Sequence, residues 1–356
     1  MITITSLAVA LIAAKNVAAV GSPFGFATGT RGGNGAAQAV PTSAAQLKSW
    51  LEDNVTRNIL LDRTYDFTDT EGSITGTVCK SWNCSPNPQY TIDTGSGCGS
   101  SPASTATWKK AGTAGINVKS NKTILGKGTS GWIKGKGLRL SGVSNVIIQN
   151  IRISDLNPQY VWGGDALHIE NASKVWVDHN YGFGAAKQVT ISNNYFDGQS
   201  TYSTGCDQHH YWALLFAGNG DQITFARNYL YYTAGRGPHI GVRWILSYFN
   251  EIAGHAIDPD TGSKILVEGN YFNKLRRQLL ETQKEAAFAP TSASMNSQCS
   301  GTLGRIVAGG SGALTNTGST GILSAFTASV VKSASILDPG QQLDEYNMTI
   351  CAYSII

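Results

Sequence analysis

Short phrases of alternating apolar and polar residues, each closing on asparagine, recur at residues 146–150, 189–194, 223–228 and 265–270. A period of two is the signature of a strand with one buried face. In the last three phrases the asparagine is followed by Tyr195, Tyr229 and Tyr271, whereas a fifth phrase, Val175-Trp176-Val177, closes on Asp178 and His179. Little helical sequence lies between the copies, so the pattern predicts stacked repeats. Each would be one turn of a parallel β-helix, with asparagines laddered at the bends. Start to start, the phrases lie 29, 14, 34 and 42 residues apart. A turn needs about 20 residues or more. The 14-residue step from Val175 to Val189 therefore predicts a coil that is distorted or partly missing.

Outside the repeats the pattern changes. Ser43 and Gln46 make a capping box ahead of Leu47, Trp50 and Leu51, which share one helical face. This predicts a short amphipathic helix over the open end of the solenoid, where a stacked-repeat protein needs a cap. Residues 20–41 are glycine-rich and read as extended, and residues 72–108 read as a long stapled loop. The repeats are expected from about Ile116 to Phe272. Glycines between 126 and 137 lack the spacing of a phosphate loop and read as bends. From Ala286 the chain is rich in Ala, Gly, Ser and Thr, and residues 336–356 carry no recognisable pattern.

Composition sharpens this picture. Hydrophobic residues make up 41% of the 356 and charged residues only 14%, which suits a core-rich, neutral-surfaced secreted protein. The apolar run 7–14, followed by Val17-Ala18-Ala19, reads as a signal peptide over residues 1–19 and is too short to span a bilayer. A single domain over 20–335 and a tail over 336–356 would follow. Removing Lys15 takes the net charge from +4 to +3, too little to argue for nucleic acid. No membrane partner and a monomer are expected. Six cysteines fit an oxidising compartment, and Cys79 and Cys84 are poorly spaced for zinc. Sequons at Asn54, Asn121, Asn171 and Asn347 agree with secretion.

Four phrases stand out from the repeats: Val161-Trp162-Gly163-Gly164-Asp165-Ala166, Trp176-Val177-Asp178-His179, Cys206-Asp207-Gln208-His209-His210-Tyr211-Trp212, and Thr233-Ala234-Gly235-Arg236-Gly237-Pro238. With residues 66–72, 133–139 and 146–151, they resemble the fungal pectin lyases of the pectate lyase superfamily over roughly residues 20–300. The resemblance implies a right-handed parallel β-helix whose long loops form a cleft. There, methyl-esterified polygalacturonate is cleaved by β-elimination without a metal or other cofactor. Arg236 matches the arginine used as base, although a guanidinium normally stays protonated. Asp165 matches an acidic cleft residue and is given an orienting or electrostatic role. Trp162, Trp212 and Trp82 match the aromatic cleft that takes the uncharged substrate, while Trp50, Trp108, Trp132, Trp176 and Trp244 read as structural. The resemblance also implies disulfides Cys79–Cys98 and Cys84–Cys206, and leaves Cys299 and Cys351 as a substitute pair or as free thiols.

The departures matter as much. The family places a second cleft arginine, or a calcium-ligating aspartate, just after the Trp-Val-Asp-His phrase. Here Asn180 and Tyr181 run almost directly into Lys187, at the 14-residue step. Lys187 reads as a solvated residue. His239 stands where the family prefers lysine, and about four residues are missing between it and Gly254. His209 and His210, adjacent on an extended chain, face opposite ways and are poor joint metal ligands. The leading reading is a secreted pectin lyase. A homologue that binds pectin without cleaving it, a calcium-dependent pectate lyase and a polygalacturonase follow in that order.

Overall fold

The computed structural model describes residues 21–95, 97–178, 186–216, 218, 221–267, 270–279, 287–288 and 320–326. The signal peptide, Cys299, Cys351, Asn347 and the tail lie outside them. The alternating phrases form the rungs of one long parallel sheet. Arg57–Leu61, Lys122–Gly126, Ser144–Gln149, Ala172–Asp178, Ala186–Ser192 and Ile223–Tyr231 stack in that order, followed by the extended run His239–Val267. Register keeps the pattern in phase, with Val146 opposite Val175, Val175 opposite Val189 and Val189 opposite Ile223. A second face holds Ile116–Asn117, Leu138–Ser141 and Leu167–Glu170, and a third holds Thr64–Asp66, Trp132–Lys134 and Arg152–Ser154. This is a parallel β-helix. Inward residues of all three faces fuse into one apolar core running from Leu47 to Ala287.

Asparagines ladder at the bend, as the sequence predicts. Asn228 Oδ1 accepts from the Asn194 backbone N–H at 3.0 Å and from its side chain at 2.8 Å, while Asn228 Nδ2 donates to the Ile191 carbonyl. Asn270 Oδ1 accepts from Ser247 N–H at 2.6 Å. Asn150 stands apart from this ladder and donates instead to the Gly126 and Gly128 carbonyls. Ser247 is the rung that sequence reading missed. Residues 244–247 pair with 224–228, so the 42-residue interval holds two coils rather than one. Serine in place of asparagine, and an apolar run without clean alternation, hide the copy.

Two further expectations need correction. The repeats begin well before Ile116, since Gln38–Ala39 pairs with Arg57–Leu61 and Thr64–Asp66 starts the third face. Residues 72–108 are more than a stapled loop. Ser73–Cys79 and Ala103–Lys109 form an antiparallel pair, joined by Tyr90–Ile92 and Tyr160–Val161 into a four-stranded sheet. Small residues such as Gly76, Ala103 and Ala106 lower the strand signal there. The sheet encloses its own cluster of Val78, Ile92 and Trp108.

The helix forms where predicted, over Ala44–Glu52, with Ser43 accepting from Gln46 N–H at 3.1 Å. The Gln46 side chain reaches back to Thr42 N–H, one residue earlier than in the usual box. Leu47 and Leu51 are fully buried, and Arg57 lies over the Trp50 ring. Below it, the completely buried Lys122 ammonium donates to Asp53 Oδ1 and to the Asp53 and Val55 carbonyls, closing the helix C-terminus onto the first coils.

The 14-residue step is present in three dimensions. Ala172–Asp178 and Ala186–Ser192 are directly paired, with Asp178 accepting from Ser192, Asn193 and Gln149. Yet among the described residues the ladder of the second face stops at Leu167–Glu170 and that of the third at Arg152–Ser154, and rungs resume beyond the break where Leu215–Phe216 pairs with His239–Ile240 and Tyr195–Asp197 with Tyr229–Tyr231. Only one of the three ladders runs unbroken through this point. An N-terminal strap crosses it on the outside: Ala27 packs on Ile147 and Trp176, and its N–H donates to Thr190, while Phe26 N–H donates to Thr224. Gly25 takes φ +58 where a Cβ would stand 2.5 Å from Thr224 Oγ1, so glycine lets the strap lie flat.

Because Asn228 is wholly buried and serves two rungs, Asn228→Ala should cost about 2–3 kcal/mol, the penalty of orphaned buried amides. Asn273→Ala, in a part-buried pair with Asn250, should cost less than about 1 kcal/mol. Urea unfolding of both variants measures the difference, and equal losses would remove the ladder from its structural role.

Candidate active site

Asp165 and Arg236 occupy equivalent places in the coil, each on the turn leading into a second-face strand. Asp165 precedes Leu167–Glu170, and Arg236 precedes the run that begins at His239. Asp165 is brought in by Gly163-Gly164. Gly164 has φ +149, and a Cβ there would stand 1.9 Å from the Gly112 carbonyl, so no side chain is tolerated beneath the turn. On the preceding coil, a Cβ at Gly137 would stand 1.9 Å from the Asp165 carbonyl.

The Asp165 side chain is 74% exposed, and its nearest charge is His168 Nδ1 at 3.8 Å. Desolvation by the surrounding protein pushes its carboxyl upward, and His168 opposes this. Open access to solvent keeps that push weak. His168 in turn faces Glu170 at 3.5 Å, and Arg139 pairs with Glu170 at 2.9 Å. Among the described residues Asp165 makes no hydrogen bond or ion pair with Arg236, so an orienting contact between the two is absent here.

Arg236 has a left-handed backbone, φ +49, anchored on both sides. Its carbonyl accepts from Leu214 N–H at 2.7 Å, and Gly237 N–H donates to Ala256 O at 2.9 Å. The guanidinium lies 4.6 Å from the centroid of Trp212, a cation–π contact. Its buried Nε has no hydrogen-bond partner, and neither does Trp212 Nε1. Trp82 meets Trp212 edge-on at 6.1 Å, and Tyr211 does so at 5.0 Å. The Cys84–Cys206 disulfide, Sγ–Sγ 2.06 Å, ties the Trp82 loop to the segment carrying Trp212 across 122 residues of chain, and Cys79–Cys98 closes the adjoining loop at 2.00 Å. The structure thus brings Arg236, Trp212 and Trp82 together. Trp162, at φ +67 and 65% exposed, stands instead beside Asp165.

The sequence pattern of the pectate lyase family matches residues 1–188, ending one residue short of Val189, where the 14-residue step closes. The chain is 46% identical over 306 residues to probable pectin lyase F-2 of Aspergillus terreus, covering 80% of this chain and 64% of that protein. It is 44% identical to probable pectin lyase A of Aspergillus flavus, covering 85% and 86% of the two chains. It is 41% identical to pectin lyase D of Aspergillus niger, covering 93% and 94%.

The chain belongs to the pectate lyase family.

Solved pectate lyases share its right-handed parallel β-helix. A Bacillus subtilis pectate lyase variant superposes with a TM-score of 0.55 at 17% identity, covering 91% of this chain and 95% of that one. A pectate lyase bound to a hexasaccharide superposes at 0.58 and 15% identity, with the same coverage. At such identities these likenesses concern the fold alone.

Several residues gained meaning only from the structure. Tyr211 joins the aromatic wall, and a Cβ on Gly235 would stand 2.7 Å from its ring, so glycine there makes room for it. His209 stacks on Tyr232 at 3.7 Å, while His210 points elsewhere, as adjacent residues on an extended chain should. His210 is half-buried beside a cavity of about 100 Å³ that also touches Gly164, Ala166 and Asp197. Lys187 is exposed, as expected of a solvated residue.

Desolvation pushes the His210 imidazole down to about 4, only partly opposed by a hydrogen bond with the Trp212 backbone. The folded protein therefore holds it neutral while the unfolded chain binds a proton below about 6.5. Its contribution is complete above about pH 6.5 and is lost progressively as the pH falls toward 4. Melting temperatures of the native chain and His210→Gln across this range should converge toward the acid end. Parallel curves would show that His210 carries no such linkage.

Proposed function

We propose that the chain is an extracellular pectin lyase that cleaves methyl-esterified α-1,4-polygalacturonan by β-elimination. The observation that carries this is the Arg236 guanidinium seated on the Trp212 face with Trp82 alongside, in the cleft of a pectate lyase family β-helix. An esterified uronate has no charge, so it gains most from apolar ring faces and one well-placed cation. The tryptophans beside Arg236 support this reading over a calcium-dependent one. The pectin lyase names of the Aspergillus relatives support it as well.

The C5 proton of the substrate is acidic because it lies α to the ester carbonyl. Arg236 in its neutral form accepts that proton and later returns it to solvent, the electron pair forms the C4–C5 double bond, and the C4–O bond breaks to release the shorter chain. The departing oxygen is protonated from solvent, so no water is consumed. The enolate that develops on the ester needs positive charge nearby. With the segment that would bring a second cleft arginine missing, Arg236 supplies that charge once it is protonated. Asp165 sits on the same longitudinal row and holds sugar hydroxyls, while Trp162 stacks on a neighbouring ring.

Secretion fits the two disulfides and the apolar N-terminus. Among the described residues no helix is long and apolar enough to cross a membrane. Residues 1–19 are read as the signal and 20–335 as one domain acting as a monomer.

Purified protein and highly methylated pectin should give ultraviolet-absorbing unsaturated product that persists with chelator. Arg236→Ala should lower kcat by about 10²–10⁴-fold, the range of a positioned base, while pectin binding survives. Trp162→Ala should raise KM about tenfold with kcat retained, as expected for one lost ring contact of roughly 1–1.5 kcal/mol. Product that vanishes with chelator would favour a metal-dependent lyase, and no product from folded protein would favour a pectin-binding homologue.

A further inference from the structure

The turn that carries Arg236 is held by a cluster of ionisable groups that the reaction scheme above does not use. His239 follows Arg236 by three residues and opens the next second-face rung, where its neighbour on the preceding coil is the apolar Leu215. On the following coil it meets two carboxylates. His239 Nδ1 is 2.9 Å from Asp258 Oδ2, and Nε2 is 3.0 Å from Asp260 Oδ2. His255 Nε2 approaches the same Asp258 oxygen at 3.4 Å, and Arg277 is the backbone partner of His255 one coil further on. Asp258 is nearly buried, its side chain 9% exposed, whereas that of Asp260 is 57% exposed. The backbone is linked at the same place, with Asp258 N–H donating to the Pro238 carbonyl at 3.0 Å.

A neutral imidazole carries one N–H and one lone pair, so it can donate to only one of two flanking carboxylates. The other nitrogen would then stand about 3 Å from a carboxylate with no proton or charge to hold it there. Both contacts are favourable only when both nitrogens carry protons. With both nitrogens protonated, the ring bridges the Arg236 turn to the next coil.

We propose that His239 is a proton-dependent latch: protonated and bridging Asp258 and Asp260, it fixes the Arg236–Gly237–Pro238 turn in its left-handed form and so positions the guanidinium over Trp212. His239 is a positioning residue and does not touch the reacting atoms. Lysine at this place would hold the same carboxylates over a far wider pH range, because its charge persists to about pH 10. Histidine makes the latch titratable. The Asp258 carboxyl fits this: burial alone would raise it, yet the two imidazoles beside it, His255 and His239, more than offset burial and hold it below its ordinary value.

The sign follows from the geometry. The latch is closed while His239 is protonated and opens as rising pH removes that proton. The kinetic consequence rests on the pectin lyase reading, but the structural consequence does not. The test compares the native chain, His239→Lys and His239→Gln by kcat against pH on methylated pectin and by melting temperature against pH in the same buffers. His239→Lys should keep kcat to a pH higher by about one unit or more, and should flatten the alkaline fall in melting temperature. His239→Gln should lose roughly 10²-fold in kcat, the cost of a misplaced catalytic group, with no alkaline limb of its own.

Turnover profiles of the native chain and His239→Lys that superimpose would overturn the latch and leave the lyase assignment standing. A native chain without turnover would overturn the lyase assignment, and the melting curves would then decide the latch alone. Parallel curves for the native chain and His239→Lys refute it, and a selective alkaline loss in the native chain upholds it.

Discussion

Everything in this molecule depends on a parallel rung lying in register on the rung before it, which obliges the chain to travel around and come back to its starting angle. A rung of seven residues such as Ala172–Asp178 is roughly 20 Å long. To begin the next rung beside it, the chain must return by the same distance, and in an ordinary coil it builds two more faces on the way. Eight peptide units join Asp178 to Ala186, with a greatest reach of roughly 26–29 Å. That suffices to return and leaves nothing for the other faces. The long sheet continues through this point, while the ladders of the second and third faces are interrupted and resume only beyond it, as this arithmetic requires.

The break is tolerated because other contacts carry the continuity that two faces no longer supply. The core passes through it unbroken, with Val175 and Val177 on one side and Val189 and Ile191 on the other. Asp178 collects hydrogen bonds from the rungs before and after it, and Trp176 Nε1 donates across the break to Ser192. The N-terminal strap adds bonds to Thr190 and Thr224 beyond the break and to Thr123 and Asn145 before it. A β-helix is quasi-one-dimensional, so a local defect weakens one interface and need not propagate. The cleft is similarly local: Arg236, Trp212 and Trp82 are assembled on the far side of the break by the 206–212 segment and its disulfide.

How far the sequence was readable follows from the same physics. Clean alternation closing on asparagine exposed the rungs at Val146, Val175, Val189 and Ile223, because burial of one face and backbone pairing at the bend each impose a residue type. The rung at Trp244–Ser247 was invisible because serine fills the ladder position, and the first coil was invisible because Arg57–Leu61 ends in no asparagine. The sheet of Ser73–Cys79 escaped notice because its stability comes from cross-strand pairing and a disulfide rather than from an apolar stripe. At the site, motif order located Arg236, Asp165 and the tryptophans. It could not show that Asp165 faces His168 rather than Arg236, or that Tyr211 joins the wall. Those are consequences of coil-to-coil neighbourhood, which a one-dimensional pattern does not encode.

The position of the charges relative to the break gives the site its particular character. A cleft that holds two arginines close together must pay in repulsion, and such crowding favours a neutral guanidinium able to accept a proton. Here the coil that would crowd Arg236 is the one that is missing, and the neighbouring groups are a ring face and, one turn on, imidazoles paired with carboxylates. The electrostatic pressure on Arg236 is therefore lower than in a cleft with two arginines, while its geometric restraint is high: a left-handed backbone, bonds to both adjacent coils and an indole beneath the guanidinium. On the proposed mechanism, catalytic power in such a site has to come from placement more than from a forced change of protonation. The side chains that fix the Arg236 turn then act on rate through the guanidinium they place.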